Sequence, residues 1–224
     1  MNWLMNNLPY VGQLSALHLL QSIIPVIAGT LISIPIARLA VGRRRDGRST
    51  AGHTAGSAFK RGAVVNTAAL LYTIPSLALF VLMPLVLGTS ITSPLNVYVA
   101  LTIYVVAMMV RSAVDAFESV SPVTLESATA MGYKPVRRFW AVELPLAVPV
   151  MLAGLRVALV SNISMVSVGA VIGIQSLGTL FTDGLRRNLP AEIIVGIVGT
   201  VVLALILDRL LALIGAWLTR WRKA

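Results

Sequence analysis

The 224-residue chain has no cysteine, only eight acidic residues and two histidines. Without thiols, thiol catalysis and disulfide bridging are excluded. His18 and His53 lie on opposite flanks of the first apolar run, and no HExxH or similar ligand spacing occurs, so no metal site is expected. Nor do the acidic residues recur within apolar runs as a proton pathway would require. Asp208 comes nearest, and the adjacent Arg209 predicts local pairing or snorkelling there. Charge of either sign is scarce, at 12% of residues against roughly 25% in a soluble domain.

What fills the space is apolar: 57% of the residues are hydrophobic. From Gly62 to Val110 there is no Asp, Glu, Lys or Arg, and the turn-like GTSITSP at 88–94 divides this run into two segments of membrane-crossing length. The segment from Leu17 to Ala37 is too long, too far into the chain and too poor in preceding basic residues for a simple signal peptide. Five crossings are predicted, near 17–40, 63–87, 95–114, 147–171 and 192–216, with room for a further amphipathic element. Lipid leaves no partner for an open strand's backbone, and barrel-type alternation is absent, so the fold class is all-α and polytopic. Pro25, Pro35, Pro75, Pro84 and Pro149 are expected as bends within these helices.

The basic residues orient the chain. Arg38, Arg43, Arg44, Arg45, Arg48, Lys60 and Arg61 surround the first loop, Arg111, Lys134, Arg137 and Arg138 the third, and Arg220, Arg222 and Lys223 the carboxyl end. With five alternating crossings all three groups share one side, which the positive-inside rule makes cytoplasmic, leaving the amino terminus outside. Arg186 and Arg187 are exceptions, offset by nearby Asp183 and Glu192. The formal charge of +10 is explained by topology and anionic lipid. No aromatic-basic platform or recognition helix points to nucleic acid.

A single domain, 1–224, is expected, without a linker or tandem repeat. The loop RRRDGRSTAGHTAGSAFKRG lacks the GxxxxGK[ST] arrangement and the strand before it, so the chain has no such route to ATP hydrolysis. Between the third and fourth crossings, SPVTLESATAM offers Ser121 as a helix cap and Pro122 at the first helical position; Gly132 permits a turn, and Lys134 to Arg138 opens a second segment. Helix, turn, helix is the predicted form. Its small residues Ser127, Ala128 and Ala130 would allow another surface to approach.

The intervals from Glu126, Ser127 and Ala128 through Gly132 to Val142, Leu144 and Pro145 resemble the EAA loop of membrane subunits of binding-protein-dependent ABC importers: EAA, three residues, Gly, nine residues, then I-x-L-P. Ser127 replaces Ala, and Val142 replaces Ile. Residues 72–88, 142–158 and 168–185 are further similar to the branch importing glycine betaine, choline, carnitine and related compatible solutes. The resemblance implies a type I ABC importer permease fold in the prokaryotic cytoplasmic membrane, with residues 116–145 as a cytoplasmic coupling loop. It also implies a second permease chain, identical or homologous, two cytoplasmic ABC ATPases that carry the ATP and magnesium, and an extracytoplasmic solute-binding protein expected to be separate. Cofactors bound by this chain itself are not expected.

Within that resemblance Glu126 would contact a basic ATPase residue, Ala128 and Ala130 would pack closely, Gly132 would make the turn, and Pro145 would set the start of the fourth crossing. Tyr72, Phe80, Tyr98 and Tyr104 are candidates to line the pathway, against the alternative that they are interfacial or packing aromatics. An importer permease for an amino acid or other small polar solute, and a non-transport membrane scaffold, stand as alternatives.

Overall fold

The structure is a computed structural model that describes residues 2–41 and 54–223. Every regular element among the described residues is helical. Short α1 (Asn2–Asn6) precedes α2 (Leu8–Val41), which begins well before the expected crossing at 17–40 because LPYVGQLSA carries no charge or helix-breaking turn to stop it. Pro25 and Pro35 lie inside this continuous helix, as Pro84 and Pro149 do inside theirs. His53 and the arginines at 43–48 fall outside the described residues.

The segment expected to cross at 63–87 is not one rod. It comprises α3 (Thr54–Thr73) and α4 (Ser76–Leu87), with an angle of 97° between Arg61–Thr73 and Ser76–Leu87. Pro75 permits the break: it has no N–H to continue the ladder, and its ring disfavours helical backbone at Ile74. The buried Tyr104 hydroxyl donates to the Ile74 carbonyl at the break, giving that group a partner. Beyond Gly88, whose φ of 65° ends α4, the Asn96 amide donates to the carbonyls of Ser90 and Ile91 at 2.7 and 3.3 Å and holds the turn.

α5 (Pro94–Glu118) is the central helix, packed on α2, α3, α4 and α8. Small residues permit the approach: a Cβ on Gly29 would lie 2.6 Å from a Val105 methyl, and one on Gly154 would strike the Ser112 side chain. After α6 (Pro122–Ala130), the fourth crossing is continuous from Pro135 to Ile172. It starts earlier than the expected 147 and contains α7 (Pro135–Arg138), a π turn (Phe139–Glu143), α8 (Leu144–Val168) and a terminal 3-10 turn.

Amphipathic α9 (Thr179–Arg186) packs against α10 (Pro190–Leu218), with Gly184 and Gly196 at the contact. Among the described residues four helices are long and apolar enough to cross a membrane, or five if the bent pair is one span. Buried polar groups bind the opposite ends of the sequence together: His18 Nε2 donates to the Ile163 carbonyl at 3.0 Å, Asn162 to that of Ser22 at 2.8 Å, and Gln21 to that of Gln175 at 3.0 Å. Each satisfies a carbonyl that apolar surroundings would otherwise leave costly.

Candidate functional site

α6 stands at the end of the bundle where α5 finishes and the fourth crossing begins. Pro122 occupies its first turn, where an amide would have no helical partner. Ser121 sits at the cap position, but its side chain makes no capping bond; its carbonyl instead accepts the amides of Thr124 and Leu125. Leu125 and Ala128 are buried against the chain's own helices, while Glu126, Ser127 and Ala130 are exposed. The small face therefore divides: Ala128 is spent on internal packing, and Ser127 and Ala130 remain outward.

The helix stops at a defined turn. Gly132 has φ of 85°, and the Tyr133 amide reaches back to the Ala128 carbonyl at 3.1 Å. Left-handed backbone of this kind suits glycine. Arg138, buried, donates to Thr129 Oγ1 at 2.6 Å, and Arg137 lies 5.0 Å from the Tyr133 ring centroid, so the basic segment folds back upon α6. Val123, Met131, Val136 and Trp140 present exposed apolar side chains around Glu126 in sequence.

Val142, Leu144 and Pro145 are half-buried and occupy the junction of the π turn with α8. The proline cannot donate, and the ladder slips there, with the Leu144 amide bonding Phe139's carbonyl. Between them lies Glu143, which the motif spacing treated as variable. Its buried carboxylate meets Arg38 Nε of α2 at 3.1 Å, and the Arg38 guanidinium also lies 5.9 Å from the Phe139 ring centroid. A signal existed in the sequence: Glu143 and Arg38 each adjoin an apolar run, where a lone charge needs a partner. Nearby, Arg61 Nε of α3 holds Glu118 at 2.8 Å, and its Nη2 lies 4.0 Å from Asp115. One ion pair thus ties α2 to the start of the fourth crossing, and the other ties α3 to the end of α5, just before α6.

A groove of about 460 Å³ opens between α3, α5 and α8; Tyr72, Thr73, Arg111, Ser112 and Gly154 line part of it. Tyr72 packs edge-on against Tyr104 with centroids 6.1 Å apart. Of the four aromatic candidates only Tyr72 lines this groove: Phe80 and Tyr104 are buried in the α4–α5 cluster, and Tyr98 is half-buried towards the start of α5. Among the described residues no group of three metal-ligating side chains occurs.

Residues 49–222 match the family described as binding-protein-dependent transport system inner membrane component. The osmoprotectant import permease protein OsmW of Salmonella typhimurium is 32% identical over 213 residues, covering 94% of this chain and 92% of that protein. The glycine betaine/carnitine/choline transport system permease protein OpuCD of Bacillus subtilis is 32% identical over 212 residues, covering 94% and 83%. In fold, the chain superposes on an inward-facing structure of the MetNI methionine ABC transporter with a TM-score of 0.73 at 20% identity, covering 94% of each chain. The chain belongs to the family of inner membrane components of binding-protein-dependent transport systems, and its fold is that of type I ABC importer permeases.

Proposed function

From that membership we propose that this permease carries glycine betaine, choline, carnitine or a related quaternary ammonium solute into the cell. The observation that carries the substrate class is the similarity, along nearly the whole chain, to permeases named for osmoprotectant and for glycine betaine, carnitine and choline transport. Two copies of the permease, or this chain and a homologue, enclose the pathway. ATP and magnesium bind two separate ATPase subunits, and a separate extracytoplasmic binding protein delivers the solute.

α6 is the coupling helix in this reading. Glu126, Ser127 and Ala130 face away from the bundle, and the exposed Val123, Met131, Val136 and Trp140 supply apolar surface beside them. That mixture suits a protein groove with an apolar centre and a basic residue opposite Glu126. Buried Leu125 and Ala128, with the Arg138–Thr129 bond, give α6 a firm seat on the fourth crossing. Displacement of α6 by the ATPases then moves α8, and through Arg38–Glu143 it also moves α2. The basic clusters support a cytoplasmic position for this end, with the amino terminus outside.

The test is uptake by the reconstituted permease, ATPase and binding protein with labelled glycine betaine, choline, carnitine and a panel of amino acids. ATP-dependent uptake confined to the quaternary ammonium compounds is expected. Uptake of amino acids alone would replace the substrate class while leaving the importer reading intact.

A further inference from the structure

We infer that the groove between α3, α5 and α8 is a solute-binding site for a zwitterion, with Arg111 receiving a carboxylate and the Tyr72 ring facing a quaternary ammonium group. The inference rests on the proposed substrate class and deepens it, because it assigns selectivity to the permease itself.

Arg111 makes no ion pair or hydrogen bond among the described residues, although it lies within a helix that packs against four others. Asp115, one turn further along α5, faces Arg61, and Arg61 also holds Glu118. The acidic groups nearest along α5 are thus directed to another cation. Arg111 is exposed near the end of α5 that the basic clusters direct to the cytoplasm, and with no acidic partner its guanidinium is available to an anionic group. Here the guanidinium borders a groove beside Ser112 and Gly154. Guanidinium is suited to carboxylate, which it can bind with two parallel hydrogen bonds.

The other end of the groove is different. Tyr72 is exposed, and its contact with Tyr104, itself bonded to Ile74, fixes the ring's orientation. No carboxylate lines this groove, so a cation there would meet an aromatic π-system. Tyr104 and Arg111 are two helical turns apart, a rise of about 10 Å, and the arginine side chain spans part of that distance. The volume of about 460 Å³ is within the ordinary range for small-molecule sites. One ring and one guanidinium form a loose site, as a passage needs. Glycine betaine and carnitine have both complementary groups, whereas choline lacks the carboxylate.

The experiment measures labelled glycine betaine and choline uptake side by side in the reconstituted complex with its binding protein. Arg111→Gln should lower the ratio of betaine to choline uptake about tenfold, and Arg111→Lys should restore part of it. Tyr72→Leu should reduce uptake of both solutes severalfold with little change in the ratio, and Tyr72→Phe should retain it. An unchanged ratio in well-inserted Arg111→Gln, with the wild type carrying both solutes, overturns the site and leaves the substrate class standing. A wild type that carries neither solute overturns both.

Discussion

Arg156 of α8 and Asp208 of α10 hold each other through two hydrogen bonds, Nε to Oδ1 at 2.7 Å and Nη2 to Oδ2 at 2.6 Å. The sequence pointed to Arg209 as the neighbour of Asp208, but consecutive helical side chains point in different directions, and the ion pair forms across helices. Each is a charge within a crossing helix, and a fork-shaped guanidinium matches a carboxylate in the plane.

Removing one partner should do more harm than removing both. Asp208→Leu leaves the Arg156 guanidinium on α8 without its partner, whereas Arg156→Leu with Asp208→Leu removes both members of the pair. The single variant should lose roughly half or more of the detergent-stable permease, and the double variant should recover most of it. Fluorescence-detected size exclusion of the tagged permease measures this, and equal losses would refute a direct pairing role.

The Arg38–Glu143 pair predicts a different signature. With Glu143 buried, Glu143→Ala should cost about 2–4 kcal/mol and lower the thermal midpoint of the purified complex. Arg38→Ala combined with it should cost less than the sum of the two single changes. Additive losses in such a cycle would separate the two residues.

Gly132 offers a test of backbone rather than size. A Cβ there meets nothing within 4 Å, yet φ is 85°, so a side chain meets a conformational penalty before any steric one. Gly132→Val should cost about 1–2 kcal/mol at the turn and reduce both copurified ATPase and solute uptake. Gly132→Asn should be milder, because Asn tolerates the left-handed region. Val and Asn variants of equal activity would show that the turn does not matter to coupling.

Orientation can be read chemically because the chain has no native cysteine. Arg186→Cys, exposed at the end of α9, should react with an impermeant maleimide in intact cells, and Thr124→Cys, exposed on α6, only after permeabilisation. The reverse pattern would invert the topology.

The crossings were legible because uncharged runs of about 20 residues have few destinations other than a bilayer. The helix, Gly turn and second helix around 121–138 were legible for a similarly local reason: Pro122 and Gly132 restrict backbone geometry wherever they occur. The right-angled break at Pro75 was less so, since Pro25, Pro35, Pro84 and Pro149 carry the same local signal yet sit inside continuous helices. What distinguishes Pro75 is tertiary, a hydroxyl from Tyr104 waiting for the carbonyl before it. Glu143 with Arg38, Arg156 with Asp208, and the shared groove of Tyr72 and Arg111 depend on which helix faces join, information that no single apolar run contains. Ser121 illustrates the opposite limit: the right residue type stands at the cap, but its hydroxyl makes no capping bond.

Because α4 leaves α3 at 97°, the two form a crank. A straight helix turning about its own axis stays where it is, but here the same turn sweeps a perpendicular arm sideways. The arm has 12 residues, about 18 Å, so a rotation of only 10° carries its tip about 3 Å. Arg61 of α3, more than three turns before the break, grips Glu118 close in sequence to where α6 begins. A small torque at that grip becomes lateral travel of α4 on the far side of the break, without stretching a helix or breaking its ladder.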